Sequence, residues 1–120
     1  MKKALIVDDD PSSAQLMARF LEPLEYESEY ASCGAEALEK IGAAEFDIVI
    51  SDVRMPSGSG IDLLRELHGL GSTVPVVLVS AVGDAAKSQA KALGADAFIA
   101  KPITRESLAE VVREIETTHA

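Results

Sequence analysis

The chain contains one cysteine, no tryptophan and five aromatic residues, and its eleven Lys and Arg stand against twenty Asp and Glu. Each shortage excludes something. A single Cys33 rules out an internal disulfide and fits a reducing compartment. The aromatics (Phe20, Tyr26, Tyr30, Phe46, Phe98) are too scattered to build a base-stacking platform. A formal net charge of −9 repels phosphate backbones and anionic lipid, so neither nucleic acid nor a membrane surface is expected as a partner. Long apolar runs are missing too. Lys2 and Lys3 precede only Ala4–Val7, too short for a signal-peptide core or a membrane span, and a cytoplasmic location is expected. The two histidines, His68 and His119, offer no zinc geometry.

What is present describes one ordinary domain. With 120 residues, 48% of them hydrophobic and 26% charged, residues 1–120 suffice for a single core without a disulfide or metal staple. The short apolar runs Ala4–Val7, Ile48–Ile50, Val76–Val79 and Ala97–Ala100 are continuous and mostly β-branched, as strands buried on both faces of a parallel sheet require. Glu27–Ala31 alternates polar and apolar, as an edge strand does. Between them lie stretches of helical character. Asp10-Pro11 reads as N-cap and first residue of a helix that ends near Pro23. Ala35–Ile41, Ile61–Leu70 and Ala85–Leu93 supply three more. In a fifth, at the end of the chain, Leu108, Val111, Val112 and Ile115 share one face behind a Thr104 cap. Gly42, Gly71 and Gly94 stand where a left-handed residue would close a helix. The alternation is (βα) five times over: an α/β, doubly wound, five-stranded parallel sheet with helices on both faces.

In such a sheet the ligand site lies outside the carboxyl ends of the strands. Those ends carry Asp8-Asp9-Asp10, Ser51-Asp52, Ser80-Ala81 and Lys101-Pro102. Neighbouring strands are about 4.8 Å apart, so acids ending the first and third strands could share one ion if those strands are adjacent. Clustered carboxylates raise one another's pKa, and a hard divalent cation relieves that; oxygen-only ligands suit Mg²⁺. Asp10 is read as a helix cap, leaving Asp8 and Asp9 in excess of what capping needs.

Four pieces in this order, Val7–Asp10, Asp52–Pro56 followed by Gly60, Ser80-Ala81, and Lys101-Pro102 after Gly94-Ala95, form a specific combination. On them the chain resembles the receiver (response-regulator) domains of two-component signalling, over essentially its whole length. The resemblance implies a flavodoxin-like strand order 2-1-3-4-5. It implies that Asp52 is the phosphoacceptor, becoming a 4-aspartylphosphate by attack on a phosphohistidine of a sensor histidine kinase or histidine phosphotransfer protein in a phosphorelay. Asp9 and Asp52 would hold Mg²⁺ directly, Asp8 through water, with the backbone carbonyl of Arg54 as a further ligand. Lys101 and Ser80 would contact phosphoryl oxygens, and the small Ala81 would leave room for the incoming group. Arg54 and Val82 would modulate access of the hydrolytic water. The Lys101–Pro102 bond would be cis. Phe98 would be a switch aromatic, acting by packing alone because it lacks a tyrosine hydroxyl. Occupancy would alter the surface of the fourth helix, fifth strand and fifth helix, and so a downstream effector protein or output domain; a phosphorylation-dependent dimer is among the outcomes this allows. Such a module is a signalling switch rather than an enzyme, although it catalyses its own phosphorylation and dephosphorylation.

Two readings from other classes compete. Asp8-Asp9-Asp10 formally matches the Asp-x-Asp of a small haloacid-dehalogenase-like phosphatase with Asp8 as nucleophile, which leaves Asp52 unexplained and lacks a second acidic motif. A flavodoxin-like cofactor binder would need a phosphate loop after the first strand, where acids stand instead.

Overall fold

A computed structural model describes residues 1–55, 58–80 and 94–118, with the backbone alone at 54, 55, 58 and 59. Five strands, β1 (Lys2–Val7), β2 (Tyr26–Ala31), β3 (Ile48–Asp52), β4 (Val76–Ser80) and β5 (Ala97–Ala100), form one sheet in the order β2-β1-β3-β4-β5. Every neighbouring pair is parallel. Helices α1 (Pro11–Leu21), α2 (Gly34–Ala43), α3 (Gly60–Gly69) and a C-terminal helix (Arg105–Thr118) cover it. The helical stretch expected at Ala85–Leu93 lies outside the described residues, as do Pro56, Ala81, Val82 and His119.

The apolar runs are continuous because alternate residues feed different cores. Ala4, Ile6, Ile48, Ile50, Val77, Val79 and Ile99 pack with Met17 and Leu21 of α1 and Leu108, Val112 and Ile115 of the C-terminal helix. Leu5, Val7, Val49, Val76 and Leu78 pack with Ala37 of α2 and Leu63, Leu64 and Leu67 of α3. β2, the edge strand read from its alternation, buries Tyr26 and Ala31 and exposes Glu27.

Local chemistry closes the elements. Asp10 caps α1, its carboxylate accepting from the Ser12 N–H at 3.0 Å, and Pro11 opens the helix. Thr104 and Ser107 cap the C-terminal helix reciprocally, each side chain accepting from the other's N–H at 3.0 Å. Gly71 and Gly94 adopt the left-handed conformation (φ 75° and 87°). Gly42 does not: α2 runs through it to Ala43, and the chain leaves through an extended Ala44 with no reversal to make. Glu25 (φ 66°) is also left-handed and closes a short 3₁₀ turn over Glu22–Leu24.

At the opposite edge of the sheet from the rim, two aspartates fix register in the same way. Asp47 donates its N–H to the Lys3 carbonyl and accepts the Lys3 N–H on its carboxylate, both at 2.8 Å. Asp96 does the same to Val76, at 3.0 and 2.8 Å. Each extends a ladder one step before its own strand begins.

Gly60 opens α3 where the helix crosses the end of β3. A Cβ there would stand 2.5 Å from the Asp52 carbonyl oxygen and 2.9 Å from Ser51 Oγ. Gly60→Ala should therefore destabilise by about 2 kcal/mol or more, since the obstructing atom is backbone. Gly42→Ala, in open space in the last turn of α2, should stabilise by up to about 0.5 kcal/mol. Urea unfolding of the two variants beside the parent checks both signs.

Candidate functional site: an acidic rim at the strand ends

The parallel order makes the carboxyl ends of β1, β3, β4 and β5 a single rim. β1 and β3 are adjacent, with Val7 opposite Ser51, so the next residues, Asp8 and Asp52, emerge side by side. Carboxylate oxygens of Asp8, Asp9 and Asp52 lie within 4.8 Å of one another. Across the rim the Lys101 ammonium reaches Asp52 Oδ2 at 2.9 Å. Its backbone N–H donates to the Ser80 carbonyl at 2.9 Å, which ties the end of β5 to that of β4, and the Lys101–Pro102 bond is cis.

The three acids are not equivalent. Asp9 is exposed, whereas Asp52 is 6% and Asp8 only 1% accessible. One oxygen of Asp8 accepts the Asp10 N–H at 2.9 Å; the other, Oδ2, is buried and has no hydrogen-bond partner. Burial lifts the Asp8 pKa above the ordinary carboxylate value; the Asp10 N–H opposes this and the charge of Asp52 adds to it. For Lys101, desolvation works against the charged form. The hydrogen bond to Asp52 and the fields of Asp52, Asp8 and Asp9 outweigh it, so its pKa rises. A buried carboxylate oxygen without a donor, beside two more carboxylates and, among the described residues, no nitrogen or sulfur ligand in the cluster, fits a hard cation.

Other residues singled out in the sequence take distinct places. Ser80 is buried as the last residue of β4. Phe98 lies lower on β5, opposite Leu78, partly buried against the α2–α3 core. Arg54 follows Asp52 closely, its backbone paired with Ser59 in a two-residue ladder. Asp10 serves as a cap, and Cys33 precedes α2 half-buried. Two features were not anticipated. The Tyr30 phenol lies in the field of the rim, its pKa raised by desolvation and then by Asp8, Glu36, Asp9 and Asp10. A depression of about 410 Å³ beside the acids is lined by Asp8, Ser13, Leu16, Met17, Lys101, Pro102 and Ile103. Leu16, 45% exposed on an otherwise amphipathic helix, gives this depression an apolar wall.

Comparison with known proteins gives a consistent result. A profile of the response regulator receiver domain family matches residues 4–113. Sensor histidine kinase RcsC of Salmonella typhi is 37% identical over 109 residues, covering 90% of this chain but only 12% of that protein. Chemotaxis protein CheY4 of Vibrio cholerae superposes with a TM-score of 0.88 at 32% identity, covering 96% of this chain and 98% of the other. Response regulator protein TrrA of Thermotoga maritima, solved in complex with Mg²⁺-BeF, superposes with a TM-score of 0.85 at 30% identity, covering 96% and 99%.

The orphaned oxygen of Asp8 yields a pH signature. Because its folded-state pKa is raised, the folded protein binds more protons than the unfolded chain in the window from 3.8 up to that raised value. Stability of the cation-free protein should fall as pH rises through that window. Asp8→Asn should flatten the fall and, at neutral pH without cation, raise stability by about 1–3 kcal/mol. Thermal unfolding in EDTA across pH checks it; the cation-free variant melting below its parent at pH 7 would refute it.

Proposed function

The chain belongs to the response regulator receiver domain family, and from that premise we propose that Asp52 is its phosphoacceptor, loaded by a sensor histidine kinase or histidine phosphotransfer protein. The observation that carries this reading is the setting of Asp52: nearly buried, within 4.8 Å of two other acids and 2.9 Å from an ammonium. A carboxylate is a weak nucleophile with no base to activate it, so rate must come from alignment and charge neutralisation. An Asp52 oxygen attacks phosphorus, the new P–O bond forms as the P–N bond to the donor imidazole breaks, and the imidazole nitrogen departs with the electron pair. Lys101, already against Asp52 Oδ2, holds positive charge where phosphoryl oxygens gather it. The hydroxyl of Ser80 gives a further contact from β4. Water attacking phosphorus later restores Asp52, so the switch decays.

Asp8, Asp9 and Asp52, with the Arg54 carbonyl, would hold Mg²⁺. When bound, the ion offsets the three carboxylates and the charge of the phosphoryl group. Ala81 and Val82 complete the expected surround from beyond the described residues.

A phosphoryl group adds close to two negative charges and three acceptors, which bias a pre-existing packing equilibrium rather than create a new state. The readout surface on this reading is β5, the C-terminal helix and the segment expected to be helical at Ala85–Leu93, with Phe98 repacking beneath. Its reader is an effector protein or an output domain; the activity and partners of any larger protein containing this chain follow the same proposal. The role is that of a cytoplasmic signalling switch rather than an enzyme.

With radiolabelled acetyl phosphate and Mg²⁺, the parent should form a hydroxylamine-sensitive acyl phosphate. Asp52→Asn or EDTA should lower incorporation about 100-fold or more, and Lys101→Met should slow it about tenfold or more while Mg²⁺ still binds. Peptide mapping that places the label on Asp8 would instead establish the dehalogenase-like phosphatase reading.

A further inference from the structure

We propose that Ser51 is a positioning residue for the phosphoacceptor, its buried hydroxyl holding the Asp52 main chain so that the carboxylate is aimed at the rim. The inference rests on the reading of Asp52 given above. Backbone alternation along β3 supplies the first argument. The N–H groups of Val49 and Val53 donate to Pro75 and Val79 on the β4 side. The N–H and C=O of Asp52, one residue out of phase with Val53, therefore face the β1 side. Val7 opposite Ser51 is the last pair of that ladder; the following N–H, of Asp8, belongs by the same alternation to the β2 side, where it donates to Ala31. At that point the Ser51 hydroxyl donates to the Asp52 carbonyl at 3.0 Å.

The second argument is burial. Ser51 is 0% exposed on the face where Val49 and Val53 join the α2–α3 core, so a hydroxyl has been put into an otherwise apolar row. Gly60 approaches both the hydroxyl and the carbonyl it serves, and Leu78 closes the third side of the same spot. The Gly60 N–H donates to the Val53 carbonyl at 2.9 Å, so the peptide units on either side of Val53 are held together. A hydrogen bond from Ser51 and the close approach of Gly60 meet the Asp52 carbonyl at the same spot. Alignment supplies most of the chemistry at a carboxylate nucleophile, so a loosened peptide unit there slows the reaction without unfolding the sheet.

The test compares the parent, Ser51→Ala and Val49→Ala, the last a cavity-forming change on the same face of the same strand. Incorporation from acetyl phosphate is followed at saturating Mg²⁺, at a temperature where circular dichroism shows all three fully folded. Ser51→Ala should label about 5–10-fold more slowly than the parent, while Val49→Ala stays within about twofold of it despite its lower melting temperature. A parental rate in Ser51→Ala, or an equal slowing in Val49→Ala, would overturn the assignment and leave the phosphoacceptor intact. A parent that takes no label on Asp52 would remove the phosphoacceptor reading itself, and this one with it.

Discussion

The molecule is organised around an electrostatic conflict. Adjacent parallel strands deliver carboxylates of Asp8, Asp9 and Asp52 to a patch where their oxygens lie within 4.8 Å of one another, and two of the three are almost wholly withdrawn from water. Like charges in that position oppose folding, and the ammonium of Lys101 offsets only part of the repulsion. Two apolar layers overcome it: Ala4–Val7 of β1, Ile48–Ser51 of β3 and Val76–Ser80 of β4 are buried to within 1% exposure. The sheet thus holds in place an arrangement that would not persist in a flexible chain. The chemistry proposed for the rim follows from this, because what relieves the repulsion is a cation, and what a cation and an ammonium together attract is a phosphoryl group.

Much of this was legible in the residues, for definite reasons. A strand covered on both faces cannot alternate, so Ala4–Val7 and Val76–Val79 announced themselves as runs; Asp10-Pro11 and Thr104 mark helix starts through side-chain chemistry that acts within one turn. The rim could be read because parallel strands place all their carboxyl ends on one edge. Long-range facts were harder to see. Nothing local distinguishes Asp8 from Asp9, yet one is buried with an orphaned oxygen and the other is solvated. Strand order came from family resemblance rather than from periodicity. Gly42 looked like a helix terminator because glycine so often is one, whereas Glu25 carries no mark of the left-handed turn it makes. The matched roles of Asp47 and Asp96 depend on which strand lies alongside, a relation between residues 44 and 20 positions apart.

The same separation of local and distant information applies around the acceptor. Ser51 reads as one more strand residue until α3 is seen to cross over it at Gly60. The C-terminal helix reads as a simple amphipathic segment until its two ends are located. Glu116 accepts from Lys2 and from the Tyr26 hydroxyl at 2.8 and 3.0 Å, and Arg105 sits over the Phe20 ring at 5.4 Å. These contacts fasten the helix to β1, β2 and α1.

At the sheet edge opposite β2 lies β5, whose successive residues Phe98 and Ile99 belong to opposite layers of the molecule. A strand seated in that manner behaves like the beam of a balance. Any tilt that presses Ile99 toward α1 and the C-terminal helix must draw Phe98 away from α3 by a similar amount. On the reading proposed for Asp52, occupancy of the rim would need only to tilt such a beam, not to send a wave of contacts through either core.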